Sequence, residues 1–320
     1  PSSKAGQAVN LVLGLWLVGV GAWVARLLFG AVAGAWCGLI LLFEPTHILM
    51  PTFLMSEVLC GAAFLTFLGC LIQWGQGSKA IWLPVAGVFA VLGGLTRGHV
   101  FLLVPAAIFA LWVAQTLNWK RALLAVIVLG LMTTGSVGLW SERNESALGH
   151  RVLVATNAGI NLLLGNNPNA KGGRADPPEG VPQTGDEVRD EQIAFDRATE
   201  YIQQNPGRSV AMLPLKAGRL WAFAPALTYR AELAEKLGKG ASWAWMGLAQ
   251  GVHLFLFLGL YFAFRERQKF RLGWTMVLVV ALVWTAGHLP FLGGARYLFP
   301  IYTLLFVVAL GSIWPRESDV

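Results

Sequence analysis

Charge is what this sequence has least of. Only 13% of its 320 residues are Asp, Glu, Lys or Arg, against roughly 25% in an ordinary soluble domain. Apolar residues make up 56% and the mean hydropathy is +0.59, which excludes a soluble globular chain and points to an integral membrane protein. Cysteine is scarce as well. Cys37, Cys60 and Cys70 all fall in apolar runs without CxxC spacing, which excludes a disulfide framework and a thiolate metal site and leaves small core residues. The formal charge is +7, yet no basic face with interleaved aromatics exists, so no nucleic-acid partner is expected. Internal repeats and low-complexity tracts are absent. The chain opens Pro1-Ser-Ser-Lys4, with neither an initiator Met nor a signal-peptide pattern, and the expectation is a fragment whose N-terminal segment is missing.

What is present is a series of apolar runs of membrane-spanning length, about 20 residues each. They cover 9–25, 28–43, 55–74, 81–95, 100–117, 122–140, 243–264, 272–289 and 297–314. The predicted fold is therefore an all-α, polytopic transmembrane helical bundle of about nine spans. Trp74, Trp82, Trp119, Trp140, Tyr297 and Trp314 sit at run ends, where amphipathic rings favour the interface. Three regions follow: N-terminal transmembrane helices at 1–140, a polar loop region at 141–242 and C-terminal transmembrane helices at 243–320. The middle region carries Asn157-Ala-Gly-Ile-Asn-Leu-Leu-Leu-Gly-Asn-Asn-Pro168 and Asn169-Ala-Lys-Gly-Gly-Arg174. Backbone this irregular cannot face lipid, where each unsatisfied polar group costs several kcal/mol. Asp186 is placed to cap a helix running to about Gln204, closed by Pro206-Gly207, with Phe195, Ala198, Tyr201 and Ile202 at helical spacing. Residues 209–228 are long and apolar, but Pro214, Lys216, Arg219 and Pro225 argue for a helix lying in the interface rather than crossing it.

Alternating the spans puts Arg26, Lys79, Lys120-Arg121 and the Arg265–Arg271 connector on one side, the cytoplasmic side by loop charge. The opposite, extracytoplasmic side then receives residues 43–57, 96–99, the polar region and 288–296. Ionisable residues gather there: Glu44, His47, Glu57, Arg97, His99, His288 and Arg296, with Tyr297. Each is costly near lipid and so is a site candidate, although any one of them is as readily a helix end in the headgroup layer. As a set, the cations Arg97, His99 and Arg296 suit phosphate oxygens, while Glu57 and Glu44 are the carboxylates able to accept a proton or a metal. Glu57 could equally be an acid at a helix N-terminus behind a Ser56 cap. Arg97 lies between Gly94 and Gly98, expected to free the backbone for close approach to a ligand, in a loop on the side where positive charge is not favoured. Lys171 and Arg174 among glycines could form a phosphate nest, but the signal is weak and solvated loop charge is the better reading. His150 and His253 have no evident partner in the sequence and no assigned role.

Several of these stretches resemble one family. Glu44-Pro-Thr-His-Ile-Leu-Met-Pro-Thr-Phe-Leu-Met-Ser-Glu57, Gly93-Gly-Leu-Thr-Arg-Gly-His99 with Leu103-Val-Pro105, Asn157 to Gly173, Ala198 to Pro206 and Arg296-Tyr-Leu-Phe-Pro300 resemble, in order, elements of GT-C type glycosyltransferases that use polyprenyl-phosphate sugars. Protein mannosyltransferase-like and aminoarabinose transferase-like enzymes belong to that family. The resemblance implies a lipid-linked sugar donor and a lipid, glycan or protein acceptor. It implies a bacterial inner (plasma) membrane location with the active face extracytoplasmic, and Asn161, Asn166 and Asn167 in a substrate loop. It also implies a catalytic acid in a first outer loop, upstream of residue 1. No residues are assigned to a metal and no cofactor is certain. A lipid or small-solute transporter, or a polymerase or ligase of lipid-linked glycans, are the other functions considered; the transporter expects charges at the bilayer midplane and paired broken helices in two repeats, which the sequence lacks.

Overall fold

The computed structural model describes residues 3–313; Pro1, Ser2 and the interface candidate Trp314 lie outside them. In chain order the helices are α1 (Ser3–Phe29), α2 (Ala31–Phe43), α3 (Pro45–Leu49), α4 (Ser56–Gly75), α5 (Trp82–Thr96), α6 (His99–Val113), α7 (Trp119–Leu148), α8 (Ala158–Gly165), α9 (Glu187–Gln204), α10 (Pro206–Trp221), α11 (Arg230–Leu237), α12 (Lys239–Arg265), α13 (Arg271–His288) and α14 (Phe299–Gly311). Each predicted apolar run is mainly helical over its described residues, with a break at Gly30 and α6 ending at Val113, and no strand occurs among the described residues. The chain is an all-α polytopic membrane protein. Length and apolarity suffice for crossing in α1, α4, α7, α12 and α13, and in α2 when it is joined to residues 45–52 across a 58° bend. The helices α5, α6 and α14 are apolar but shorter.

The axis of the bundle is α4, enclosed on nearly all sides. Small residues let its neighbours come close. A Cβ on Gly61 would lie 3.3 Å from Pro300 Cα, and one on Gly69 would enter the Trp23 ring, so α14 and α1 are drawn against the axis. The helix α14 is itself buried on every face from Phe299 to Ala309. By contrast α7 lies at the periphery and turns Leu124, Leu131 and Leu139 outward. The basic connectors meet at one end of the bundle: Gln76 Nε2 donates to Leu27 O, Arg121 Nη2 to Trp74 O and Arg271 Nη2 to Val113 O. The stretches carrying Glu44, Glu57, Arg97 and Arg296 meet at the other, as alternation of the spans requires.

In the polar region two boundaries move. The helix α7 continues past Trp140 to Leu148 because Trp140 Nε1 and Asn144 Nδ2 donate to Val154 O and Val152 O of the returning chain. Gly149, at φ 71°, then ends it in the left-handed conformation that glycine adopts without strain. Asp186 caps α9 as expected, accepting from Val188 N and Arg189 N. The buried face of α9 is Ala194 and Ala198 with Ile202 beside them, while Phe195 is exposed. Pro206 does more than close α9, since it occupies the first turn of α10, where a missing N–H costs nothing. The predicted helix 209–228 stops at Trp221, and Pro225–Tyr229 forms a separate short helical turn, because proline cannot continue the hydrogen-bond ladder. Val210 and Leu215 of α10 are exposed while Lys216 and Leu220 are buried, the two-faced pattern of a helix lying along a surface.

Candidate functional site

The connector before α4 is fixed by its own polar groups. Glu44 caps α3, accepting from His47 N at 2.8 Å and from His47 Nδ1 at 2.6 Å, with Pro45 in the first turn. With Nδ1 donating to Glu44, His47 Nε2 is paired with Thr303 Oγ1 of α14 at 2.8 Å. Asn10 Nδ2 donates to Phe53 O at 2.5 Å and to Met55 O at 3.3 Å, which holds the end of the connector against α1. The carboxylate of Glu44 is thus buried and paired with His47 through Oε2, while Oε1 has no hydrogen-bond partner among the described residues. Beside it, His253 is buried between Tyr302 Oη, 3.2 Å from Nδ1, and Trp221 O, which accepts from Nε2 at 2.8 Å, partners that sequence spacing gave no sign of.

Glu57 opens the first turn of α4 and is 1% exposed. Ser56 does not cap it, since the capping position is Met55 and carries no side-chain bond. Arg97 Nη2 lies 2.7 Å from Glu57 Oε1, and Arg296 Nε lies 3.7 Å from the same oxygen. Arg97 arrives from the corner between α5 and α6, where it is extended and its own N–H closes α5 on Gly93 O. Arg296 arrives from the short turn Ala295–Leu298 ahead of α14. Both guanidiniums lie over the Tyr297 ring, at 5.4 Å and 4.8 Å from its centroid, within cation–π range, and Arg296 Nη2 donates to Tyr297 Oη at 2.8 Å. Tyr229 stands next to Arg296, and burial raises its phenol above the usual range. Two cations therefore share one carboxylate, leaving one positive charge in excess. The Nε–H of Arg97 has no hydrogen-bond partner among the described residues.

Above Arg97 and Tyr297 opens a cleft of about 390 Å³, mostly apolar. One wall is the α5–α6 corner, with Arg97, His99 and Leu102. A second is the end of α13 and its connector, with His288 and Phe291. The third is the start of α8 and the chain before it, with Asn157, Ala158 and Asn161. The imidazoles of His99 and His288 are stacked, with centroids 4.4 Å apart. His99 Nε2 lies 2.9 Å from Gly287 O and His288 Nδ1 lies 2.8 Å from Trp284 O. A carbonyl can only accept, so these nitrogens carry protons. Glu191 of α9 caps α8, accepting from Gly159 N at 2.7 Å. The glycines near Arg97 differ from expectation: a Cβ on Gly94 would enter the Phe101 ring, so this residue serves helix packing, whereas Gly98 faces open space.

Arg97, His99, Tyr297 and Asn161 of the expected site residues line the cleft, Arg296 braces its floor, and Glu57 lies beneath both arginines. Glu44 lies with His47, away from the cleft lining. Asn166 and Asn167 are buried in loop bonding: Asn167 Nδ2 donates to Leu163 O and Ala175 O, and Asn166 Nδ2 to Leu162 O and Pro290 O. Lys171 offers its carbonyl to Arg219 Nε and Gly172 its carbonyl to Gly293 N. His150 stands 3.7 Å from Asp186 at the surface. Among the described residues no group of three or more His, Cys, Asp or Glu could hold a metal ion.

Neither a protein-family model nor a curated protein matches this chain. A crystal structure of ArnT from Cupriavidus metallidurans in the apo state aligns with 95% of this chain and 63% of its own, at 15% identity and a TM-score of 0.33. A likeness that loose carries no weight for the site, which stands on this chain's own residues: a polytopic helical bundle with an arginine-floored cleft at one end.

Proposed function

We propose that this protein is a membrane glycosyltransferase of GT-C type, which moves a sugar from a polyprenyl-phosphate donor to a lipid, glycan or protein acceptor. Its cleft would face the outside of a bacterial plasma membrane, with the Arg265–Arg271 connector in the cytoplasm. One observation supports this above the others: stretches far apart in sequence, each resembling that family, converge on a single cleft whose floor holds a surplus cation. A guanidinium is a planar fork matched to phosphate oxygens. The largely apolar cleft walls suit the lipid part of the same molecule.

In this reaction the acceptor oxygen attacks the anomeric carbon, the bond from that carbon to the phosphate oxygen breaks, and the phosphate leaves with the electron pair. Arg97, steadied by Glu57 and Tyr297, stabilises the charge that develops on the phosphate. The acceptor hydroxyl needs a carboxylate base to take its proton, and the carboxylates of this end of the bundle are Glu57, paired with Arg97, and Glu44, paired with His47. The test uses Ala158→Cys in the cleft wall and its rate of labelling by a maleimide. Polyprenyl phosphate should protect it, while polyprenol of the same length and inorganic phosphate alone should not. Equal protection by polyprenol, or none by the phosphate lipid, would remove the support for a donor site.

A further inference from the structure

A buried lysine rarely lacks an anionic partner, and Lys216 of α10 has none among the described residues. It is 2% exposed, yet its Nζ donates to Asn166 Oδ1 at 2.9 Å and to Pro290 O at 3.2 Å. Asn166 Nδ2 donates to the same Pro290 oxygen at 2.8 Å. The three groups form a closed triangle of hydrogen bonds. Its corners belong to different walls of the cleft. Asn166 ends α8, whose start supplies Ala158 and Asn161, and Pro290 lies between His288 and Phe291.

We infer that Lys216 is a positioning residue that sets the width of the cleft by clamping the α8 wall to the connector after α13. The neighbouring backbone is shaped for this clamp. A Cβ on Gly293 would enter the Lys216 carbonyl and one on Gly165 the Phe291 carbonyl, so the three segments are pressed together without side chains between them. The remaining cations of α10 grip the same loop further along, Arg208 on Pro168 O and Arg219 on Lys171 O. An ammonium enclosed by neutral oxygens is costly to bury, and here it braces a junction that otherwise rests on the Asn166–Pro290 and Gly172–Gly293 bonds. For its effect on ligand binding the inference rests on the donor-site assignment; the clamp itself does not.

Spin labels on Ala158→Cys and Ala286→Cys, both exposed, report the distance between the walls by pulsed EPR of the whole chain in lipid nanodiscs. The parent should give one narrow distribution. Lys216→Met should broaden it and move it outward, Asn166→Leu should do the same, and the two together should do no more than either alone. A distribution unchanged by Lys216→Met, or two shifts that add, would overturn the clamp. If Lys216→Met does not fold, Asn166→Leu decides by the same criterion. Binding of polyprenyl phosphate to unlabelled parent protein is measured alongside. Its absence would count against the donor site, while the distances still decide the clamp.

Discussion

Arg97→Ala perturbs two things at once, and they can be separated. It removes the guanidinium that faces the cleft, and it leaves Glu57, 1% exposed, with only Arg296 at 3.7 Å. Breaking a buried ion pair by deleting one partner costs about 3–5 kcal/mol. The remaining arginine places this case at the low end, about 3 kcal/mol. Lost hydrogen bonds to a charged ligand group are worth about 1.5–3 kcal/mol, which corresponds to a roughly 10- to 100-fold weaker affinity for polyprenyl phosphate. The decisive variant adds Glu57→Gln to Arg97→Ala. With the orphaned charge gone, about 2 kcal/mol of stability should return, while affinity stays low. Denaturant or thermal unfolding in detergent reads the first quantity, and equilibrium binding per folded molecule reads the second. Parent-like affinity in folded Arg97→Ala would remove this residue from the site. A double variant no more stable than Arg97→Ala would refute Glu57 as its buried counter-ion.

Three further outcomes are expected. In intact cells a membrane-impermeant maleimide should label Asn169→Cys and not Arg267→Cys; the reverse pattern would invert the orientation. Burial lowers the Lys216 ammonium from 10.5 to about 8, and its near neighbours are neutral, with Arg296 turned to Glu57 and His288 to Trp284 O. Between these values the unfolded chain keeps a proton that the folded chain has lost, so stability should rise with pH over that window, by up to about 3 kcal/mol; the rise should be absent in Lys216→Met. Gly165→Ala drives a methyl into the Phe291 carbonyl, and both sides of the contact are backbone. The midpoint should therefore fall by the equivalent of about 3 kcal/mol, whereas Gly98→Ala, facing open space, should change it by less than about 0.5 kcal/mol.

Much of the architecture was legible because lipid imposes a simple rule on sequence. A run of apolar residues long enough to cross must be a helix, and each such run is mainly helical. Asp186 was readable as a cap because the signal lies within three residues. The site was legible only in outline. Arg97 stood out as a cation on the side where loops disfavour it, but nothing local shows that Arg296 shares its carboxylate across the bundle. Glu57 looked like a ligand-facing acid, and tertiary packing placed it beneath the arginines. The stacking of His99 on His288 pairs helices far apart in sequence, beyond the reach of periodicity. Lys216 was visible as an obstacle to membrane insertion; its bonds to Asn166 and Pro290 exist only once the loop has folded over it. Gly94 was misjudged for a similar reason, since the Phe101 ring that fills its place comes from the next helix.

The position of α14 bears on how the molecule is made. It is the helix furthest along the described chain, and it fills the middle, packed against α1, α2, α4, α12 and α13 with Thr303 completing the His47 pair. As the chain leaves the ribosome, the earlier helices enter the bilayer around a space that only α14 can fill. Until then the inward surfaces of α1, α2 and α4 face lipid, the insertion machinery or one another, and the imidazole of His47 waits for its hydroxyl. The interior thus closes only after α1 to α13 have been made, and a nascent chain halted before residue 299 lacks the helix that unites α1, α2, α4, α12 and α13.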